Sequence, residues 1–219
     1  DEQYISSFDC FEQPNLIGFS DMSGSISILD RRAPDSLKAY KLHEKKIGGM
    51  SISRVNPDRI ATCSLDDTIC IWDRRMLKAH GSVPLSRFEY RRAVTAVNWH
   101  PTDPECLVST CYDDHVRIHR SVLSDSPKEM SIKHNNQTGR WITTFKAYWD
   151  PKSSLTGKSY VVIGDMNRGI DLIDGNSGVT HNFTSEYLTA QPAVNGSHPS
   201  LSLIASGNAS GKLALWKPF

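Results

Sequence analysis

The stretch DTICIWDRR (Asp67–Arg75) decides the fold. Its apolar run, Ile69 to Trp72, has the length and β-branched content of a buried strand and stops at Asp73-Arg74. Nearly the same ending recurs four times, as GSISILDRR (Gly24–Arg32), DHVRIHRSV (Asp114–Val122), RGIDLIDGN (Arg168–Asn176) and GKLALWKPF (Gly211–Phe219). The equivalent apolar residues are Ile28, Ile71, Ile118, Leu172 and Leu215, giving steps of 43, 47, 54 and 43 residues. A period near 40–45 with this ending predicts a β-propeller of the WD40 type, an all-β fold in which each repeat is a four-stranded antiparallel blade. Insertions in loops account for the longer steps.

Working outward from that strand, Ile47 to Ser53 is expected to form strand A of the second blade and Ile60 to Ser64 strand B, with Asn56-Pro57-Asp58-Arg59 as the turn between them. His43, Ser64, Asp66 and Trp72 fall where WD repeats place a hydrogen-bonded structural tetrad, a polar chain that is useful only when fully satisfied. The equivalents of Asp66 are Ser23, Asp113, Asn167 and Ser210, and His119 takes the place of the tryptophan in the third blade. Those blades are expected to depend more on Trp99, Tyr148, Trp149 and the strand C aliphatics. Asp174-Gly175-Asn176-Ser177-Gly178 reads as a hairpin turn. The chain divides into blades at about 1–41, 42–88, 89–131, 132–185 and 186–219. Because closed WD propellers most often have seven blades, the sequence is expected to be a fragment lacking about two N-terminal ones.

Composition is that of an ordinary globular domain: 38% hydrophobic, 22% charged, 25 basic and 24 acidic residues in 219. A net charge of +1 excludes nothing, since opposite charges can occupy different faces. Five cysteines (Cys10, Cys63, Cys70, Cys106, Cys111) without a C-x-x-C pair suggest a reducing compartment, nucleus or cytoplasm. No apolar run is long enough to span a bilayer as a helix. There is no nucleophile elbow, no Gly-rich phosphate loop and no His/Cys/carboxylate set at metal-ligand spacing. The expectation is a binding platform that is not an enzyme and has no cofactor, metal or small-molecule substrate.

Strands in a blade alternate in direction, so the loops before strand A and between strands B and C share one face. That face receives Lys45-Lys46, Arg91-Arg92, Arg140-Trp141 and Arg168 from successive blades. Cations at one point of several blades form an arc able to neutralise phosphates, which supplies most sequence-independent affinity for DNA. The run His134 to Trp141 adds a polar tip with Gly139, Arg140 and an indole that either stacks on or wedges between bases, or starts strand A and packs between blades. On the opposite face, Arg75 and Arg32 end the Trp-Asp-x-Arg and Leu-Asp-x-Arg segments. There a partner's carboxylate would be met bidentately.

The stretches RIATCSLDDTICIWDRR (Arg59–Arg75), HNNQTGRWITTFKAYWDP (His134–Pro151) and GIDLIDGNSG (Gly169–Gly178) resemble the family of WD repeat-containing protein 76 and the yeast changed-mutation-rate protein. More distantly they resemble the propeller subunit of the ultraviolet-damaged-DNA-binding complex. The resemblance implies a seven-bladed nuclear protein of the DNA-damage response that binds duplex DNA, damaged duplex preferentially. It maps a lesion-contacting loop onto Lys45-Lys46 and a wedging hairpin onto Gly139-Arg140-Trp141, where the distant relative has Phe-Gln-His. It also implies, as an alternative, a substrate receptor that joins cullin-4 ubiquitin ligases through their damage-binding adaptor, with Arg75 as the motif's arginine.

Overall fold

In the computed structural model, residues 4–13, 15–139, 141–152 and 157–217 are described, with the side chains of Pro34 and Ser36 outside that description. The period seen in the sequence becomes a series of antiparallel sheets whose strands follow chain order. The first holds β1 (Ile5–Cys10), β2 (Leu16–Asp21), β3 (Ser25–Asp30) and β4 (Ala33–Lys41). The second holds β5 (Ile47–Ile52), β6 (Arg59–Ser64), β7 (Thr68–Asp73) and β8 (Ser86–Glu89). The third holds β9 (Val94–Trp99), β10 (Cys106–Cys111), β11 (His115–Arg120) and β12 (Lys128–Lys133). The fourth holds β13 (Tyr148–Trp149), β14 (Tyr160–Asp165), β15 (Gly169–Asp174) and β16 (Thr180–Thr184). β17 (Val194–Ser197), β18 (Ile204–Gly207) and β19 (Leu213–Trp216) form the last, three-stranded sheet. β8 and β12 run one and two residues past the expected divisions at 88 and 131, because Glu89 and Lys133 still pair with Thr68 and His115.

The core lies between sheets. Met50, Ile52, Ile60 and Trp72 of the second sheet pack on Phe11 and Ile26, while Ala61, Cys63, Ile69 and Ile71 face Val97, Trp99 and Leu107 of the third. Cys106, Val108 and Ile118 meet Phe145, Trp149, Val161 and Ile163 in turn. Each such side chain, fully removed from water, contributes roughly 1.5–3 kcal/mol. Trp99 and Trp149 are buried as expected, and Tyr148 is half-buried.

Neighbouring sheets meet through side chains of their first and second strands. The amides of Met50 and Ile52 donate to Ser7 Oγ and Asp9 Oδ2, that of Trp99 to Ser51 Oγ, and that of Ala147 to Thr110 Oγ1. A Cβ on Gly49 would stand 3.1 Å from Ala96 Cα, so glycine lets β5 approach β9 without displacing it.

The turns between second and third strands repeat in detail. Gly24, Asp67, Asp114, Arg168 and Gly211 occupy the same turn position and have φ of 93°, 69°, 63°, 66° and 75°. The residue three places earlier accepts a turn amide in four of these turns: Asp21, Ser64, Asp165 and Asn208 receive the N–H of Ser23, Asp66, Asn167 and Ser210.

That pattern corrects the tetrad. Trp72 Nε1 donates to Thr62 Oγ1 at 2.8 Å, and His43 Nε2 meets the same oxygen at 2.7 Å. His43 Nδ1 faces Asp66 Oδ2 at 3.0 Å, and Thr68 Oγ1 donates to Asp66 Oδ1 at 2.6 Å. Ser64 is not a member. Thr62 and Ser64 point to one side of the strand, but Ser64 lies at its end, where its hydroxyl reaches the carbonyls of Lys45 (3.1 Å) and Lys46 (2.9 Å) and holds the turn. The Thr62–Trp72 pair has two relatives ten residues apart: Ser109–His119 at 2.9 Å and Ser206–Trp216 at 2.8 Å.

Candidate nucleic-acid interface

The loops ahead of the first strands are anchored in one way. His43 N donates to Gly24 O, Tyr90 N to Asp67 O and His134 N to Asp114 O, each onto the left-handed residue of the preceding blade's turn. Two of these loops also bond the turn of their own blade: Leu65 N donates to Lys46 O and Tyr112 N to Ala93 O. Lys45, Lys46, Arg91 and Arg92 follow these anchors within three residues. They therefore lie on the same rim as Arg168, which is itself in such a turn.

Lys45, Arg91, Arg92 and Arg168 are exposed and Lys46 is half-buried. Among the described residues none of the five has a carboxylate within ion-pair distance. Most acids of this rim are turned inward. Burial would raise the Asp66 carboxyl, but hydrogen bonds with His43 and Thr68 outweigh it and hold it well below the usual range. Asp113 is likewise raised by burial and lowered further by Arg117, whose Nη1 lies 2.9 Å from its Oδ1. Asp114 Oδ1 accepts the amides of Asn136 (3.0 Å) and the Gln137 side chain (3.1 Å). Glu44, exposed, and Asp67, half-buried, are the acids beside the lysines.

The loop from His134 to Ala147 is held at both ends and projects between them. Asn136 Nδ2 donates to the carbonyls of Cys111 (2.9 Å) and His115 (3.2 Å), and Phe145 is fully buried. Between these anchors Ile142 N closes a turn on Gly139 O, and Trp141 is 87% exposed. The indole does not begin a strand or pack between sheets, since β13 starts only at Tyr148. Arg140 lies outside the described residues.

The opposite rim carries Arg75 and Arg32, and each folds back on an aspartate of its own segment. Arg75 grips Asp73 through Nε (3.0 Å) and Nη2 (2.8 Å) and also approaches Asp58 at 3.4 Å. Arg32 grips Asp30 the same way, at 3.1 and 2.8 Å. The two-residue spacing in Asp-x-Arg lets the guanidinium fold back onto its own carboxylate. These contacts pull Asp30 and Asp73 down to about 2. Both arginines remain largely exposed, so a partner meets a neutralised pair with a flat face and the Nη1 donors.

The fold also gathers a set that no local spacing announces. His134, Asp165 and Asp171, from a loop, the end of β14 and the middle of β15, bring their ligand-type atoms within 4.8 Å of one another, and all three are buried. The sequence-based expectation of no metal-ligand set rested on local motifs and missed it.

With this geometry in place, comparison with known proteins is decisive for the repeat type. Residues 35–73 and 77–120 match the family described as WD domain, G-beta repeat. The "DNA damage-binding protein CMR1" of Phaeosphaeria nodorum is 35% identical over 94% of this chain and 42% of its own length. The protein of that name from Chaetomium globosum is 34% identical over 93% of this chain and 41% of its own. The "WD repeat-containing protein 76" of Xenopus laevis is 32% identical over 97% and 37%. The chain is a WD-repeat propeller homologous to these proteins. It spans less than half the length of each. Among solved structures, the β-propeller domain of Cps50 (Swd1) from Myceliophthora thermophila superposes with a TM-score of 0.68 over 95% of this chain and 65% of that one, at 10% identity, a likeness of fold alone.

Proposed function

We propose that this WD-repeat chain acts in the DNA-damage response by binding duplex DNA on the rim that carries Lys45, Lys46, Arg91, Arg92, Arg140 and Arg168, with Trp141 stacking on bases. One observation carries the reading: five of these cations share a rim without carboxylate partners, while most of that rim's acids are committed to hydrogen bonds within the fold. The printed names of the relatives, DNA damage-binding proteins, supply the damage context. A nuclear location follows from the same reading.

Fluorescence polarisation on a labelled duplex, measured across salt concentrations, tests it. Reversing Lys46 and Arg92 together (Lys46→Glu/Arg92→Glu) removes two phosphate contacts. The slope of log K against log salt is expected to shrink by about 2, with affinity falling tenfold or more at ~0.1 M salt. Trp141→Ala is expected to erase any preference for a mismatched or lesion-bearing duplex while sparing the salt slope. Identical slopes and affinities for wild type and the double variant would sink the proposal.

A second reading rests on the opposite rim, where the Asp-x-Arg grip occurs twice with exposed guanidinium faces. In it the protein docks the damage-binding adaptor of cullin-4 ubiquitin ligases. Arg75→Ala is then expected to abolish co-purification with that adaptor and leave DNA affinity unchanged.

A further inference from the structure

We infer that His134, Asp165 and Asp171 form a binding site for one divalent metal ion, of the kind that accepts an imidazole and two carboxylates, such as Zn2+. The argument begins two residues from the histidine. Asn136 gives both hydrogens of its side-chain amide to the carbonyls of Cys111 and His115, so its Oδ1 must be the atom that faces His134 Nδ1, at 2.7 Å. An amide oxygen accepts only; Nδ1 therefore carries the ring hydrogen, and in the neutral ring Nε2 presents a bare lone pair. A ring fixed in this way by a hydrogen bond from its other nitrogen is the usual arrangement of a metal-ligating histidine.

Nε2 is directed at carboxylates. The His134 side chain is 4% exposed, Asp171 Oδ2 stands 3.3 Å from Nε2, and yet Nε2 makes no hydrogen bond among the described residues. A separation of ~3.3 Å is the edge of a tetrahedron drawn with the 2.0–2.2 Å bonds of Zn2+ to nitrogen and oxygen.

The carboxylates are held from behind. Asn182 Nδ2 donates to Asp171 Oδ1 at 2.6 Å and to Asp165 Oδ2 at 3.2 Å, and the Asn167 amide also reaches Asp165 Oδ2 at 3.1 Å. The remaining oxygen of each aspartate, including the one nearest His134, has no hydrogen bond among the described residues. Two buried anions and a lone pair at this distance repel one another unless a cation lies between them. A bound ion resolves the conflict. It also ties the loop leading to Trp141 to the turn carrying Arg168, a structural role independent of whether the rim binds DNA.

The test uses the whole chain, stripped with a chelator and then given Zn2+. Elemental analysis after gel filtration is expected to find one equivalent of metal, and Tm is expected to rise by roughly 5–10 °C at a hundredfold excess over Kd. Asp165→Asn and His134→Gln are each expected to lose both effects, with circular dichroism reporting the fold. Cobalt(II) substitution of the unmutated chain supplies an arm that needs no variant: visible d–d bands without thiolate charge transfer are expected, whereas thiolate bands would place the ion on cysteines and overturn the proposal. Failure to retain stoichiometric metal, with Tm unmoved, would mean that a proton alone closes the cluster. Retention by both variants would put the ion elsewhere. Either result overturns it.

Discussion

Trp72 Nε1 and His43 Nε2 converge on one oxygen, Thr62 Oγ1, at 2.8 and 2.7 Å. A buried hydroxyl that serves a ring on each side is costly to remove, because both rings then lose their partner in a site water does not reach. Thr62→Val is expected to lower stability by roughly 2–4 kcal/mol, the range for stranding such groups, whereas Ser64→Ala, which loosens a turn, is expected to cost about 1 kcal/mol. Urea unfolding midpoints would rank the two variants. A larger loss for Ser64→Ala would restore Ser64 to the tetrad.

His119 occupies the tryptophan position of its blade and is completely buried. Burial, with Arg117 nearby, pushes its ring down from 6.5 to about 3. The unfolded chain therefore takes up a proton on this residue between pH 6.5 and about 3 that the folded chain refuses. Stability from this group is full above pH 6.5 and falls as pH drops, by at most ~1.4 kcal/mol per pH unit. His119→Gln, which can still bond Ser109, is expected to flatten the pH dependence of the unfolding free energy between pH 6 and 4. An unchanged slope would show that His119 is not responsible.

Arg168 holds φ at 66°, a conformation that its equivalents adopt with glycine or aspartate. For an arginine this costs on the order of 1 kcal/mol, so Arg168→Gly is expected to raise stability by about that amount. The same change is expected to weaken duplex binding several-fold. Gain in Tm with full DNA affinity retained would mean that the strained arginine serves no phosphate.

Cys63, Cys70, Cys106 and Cys111 are buried and Cys10 is exposed. Burial raises the four thiols, to about 11 for Cys70 and Cys111 and about 12 for Cys106. A thiol reagent at pH 8 is expected to modify one cysteine in the native chain and five after denaturation, with Cys10→Ser abolishing the native reaction. Rapid native labelling of more than one residue would contradict this packing.

The architecture was legible because a strand C is short, apolar and bounded, and five of them in register leave few alternatives. Assigning loops to faces also worked, because antiparallel order alone puts the turn at Asp66 beside the loop at Lys45. What failed was choice among like residues at close spacing. Thr62 and Ser64 share a strand face, and the pairing of Ile60 with Trp72 shows which hydroxyl meets the indole. The ten-residue interval shared by Thr62–Trp72, Ser109–His119 and Ser206–Trp216 was present in the sequence and would have selected Thr62. The grip of Arg75 on Asp73 went unseen for a different reason, since a flexible side chain chooses the nearest carboxylate and that one is two residues away. The His134–Asp165–Asp171 set depends on three separate elements meeting, which no linear motif encodes.

Because neighbouring sheets are joined by serine, threonine and aspartate side chains, the backbone ladders stop at each sheet. Such a body opens piecewise, each sheet held by its own ladder and by the sheets beside it. Amide deuteration would then advance in blocks that coincide with single sheets. The second and third, covered on both sides, would be the last to exchange.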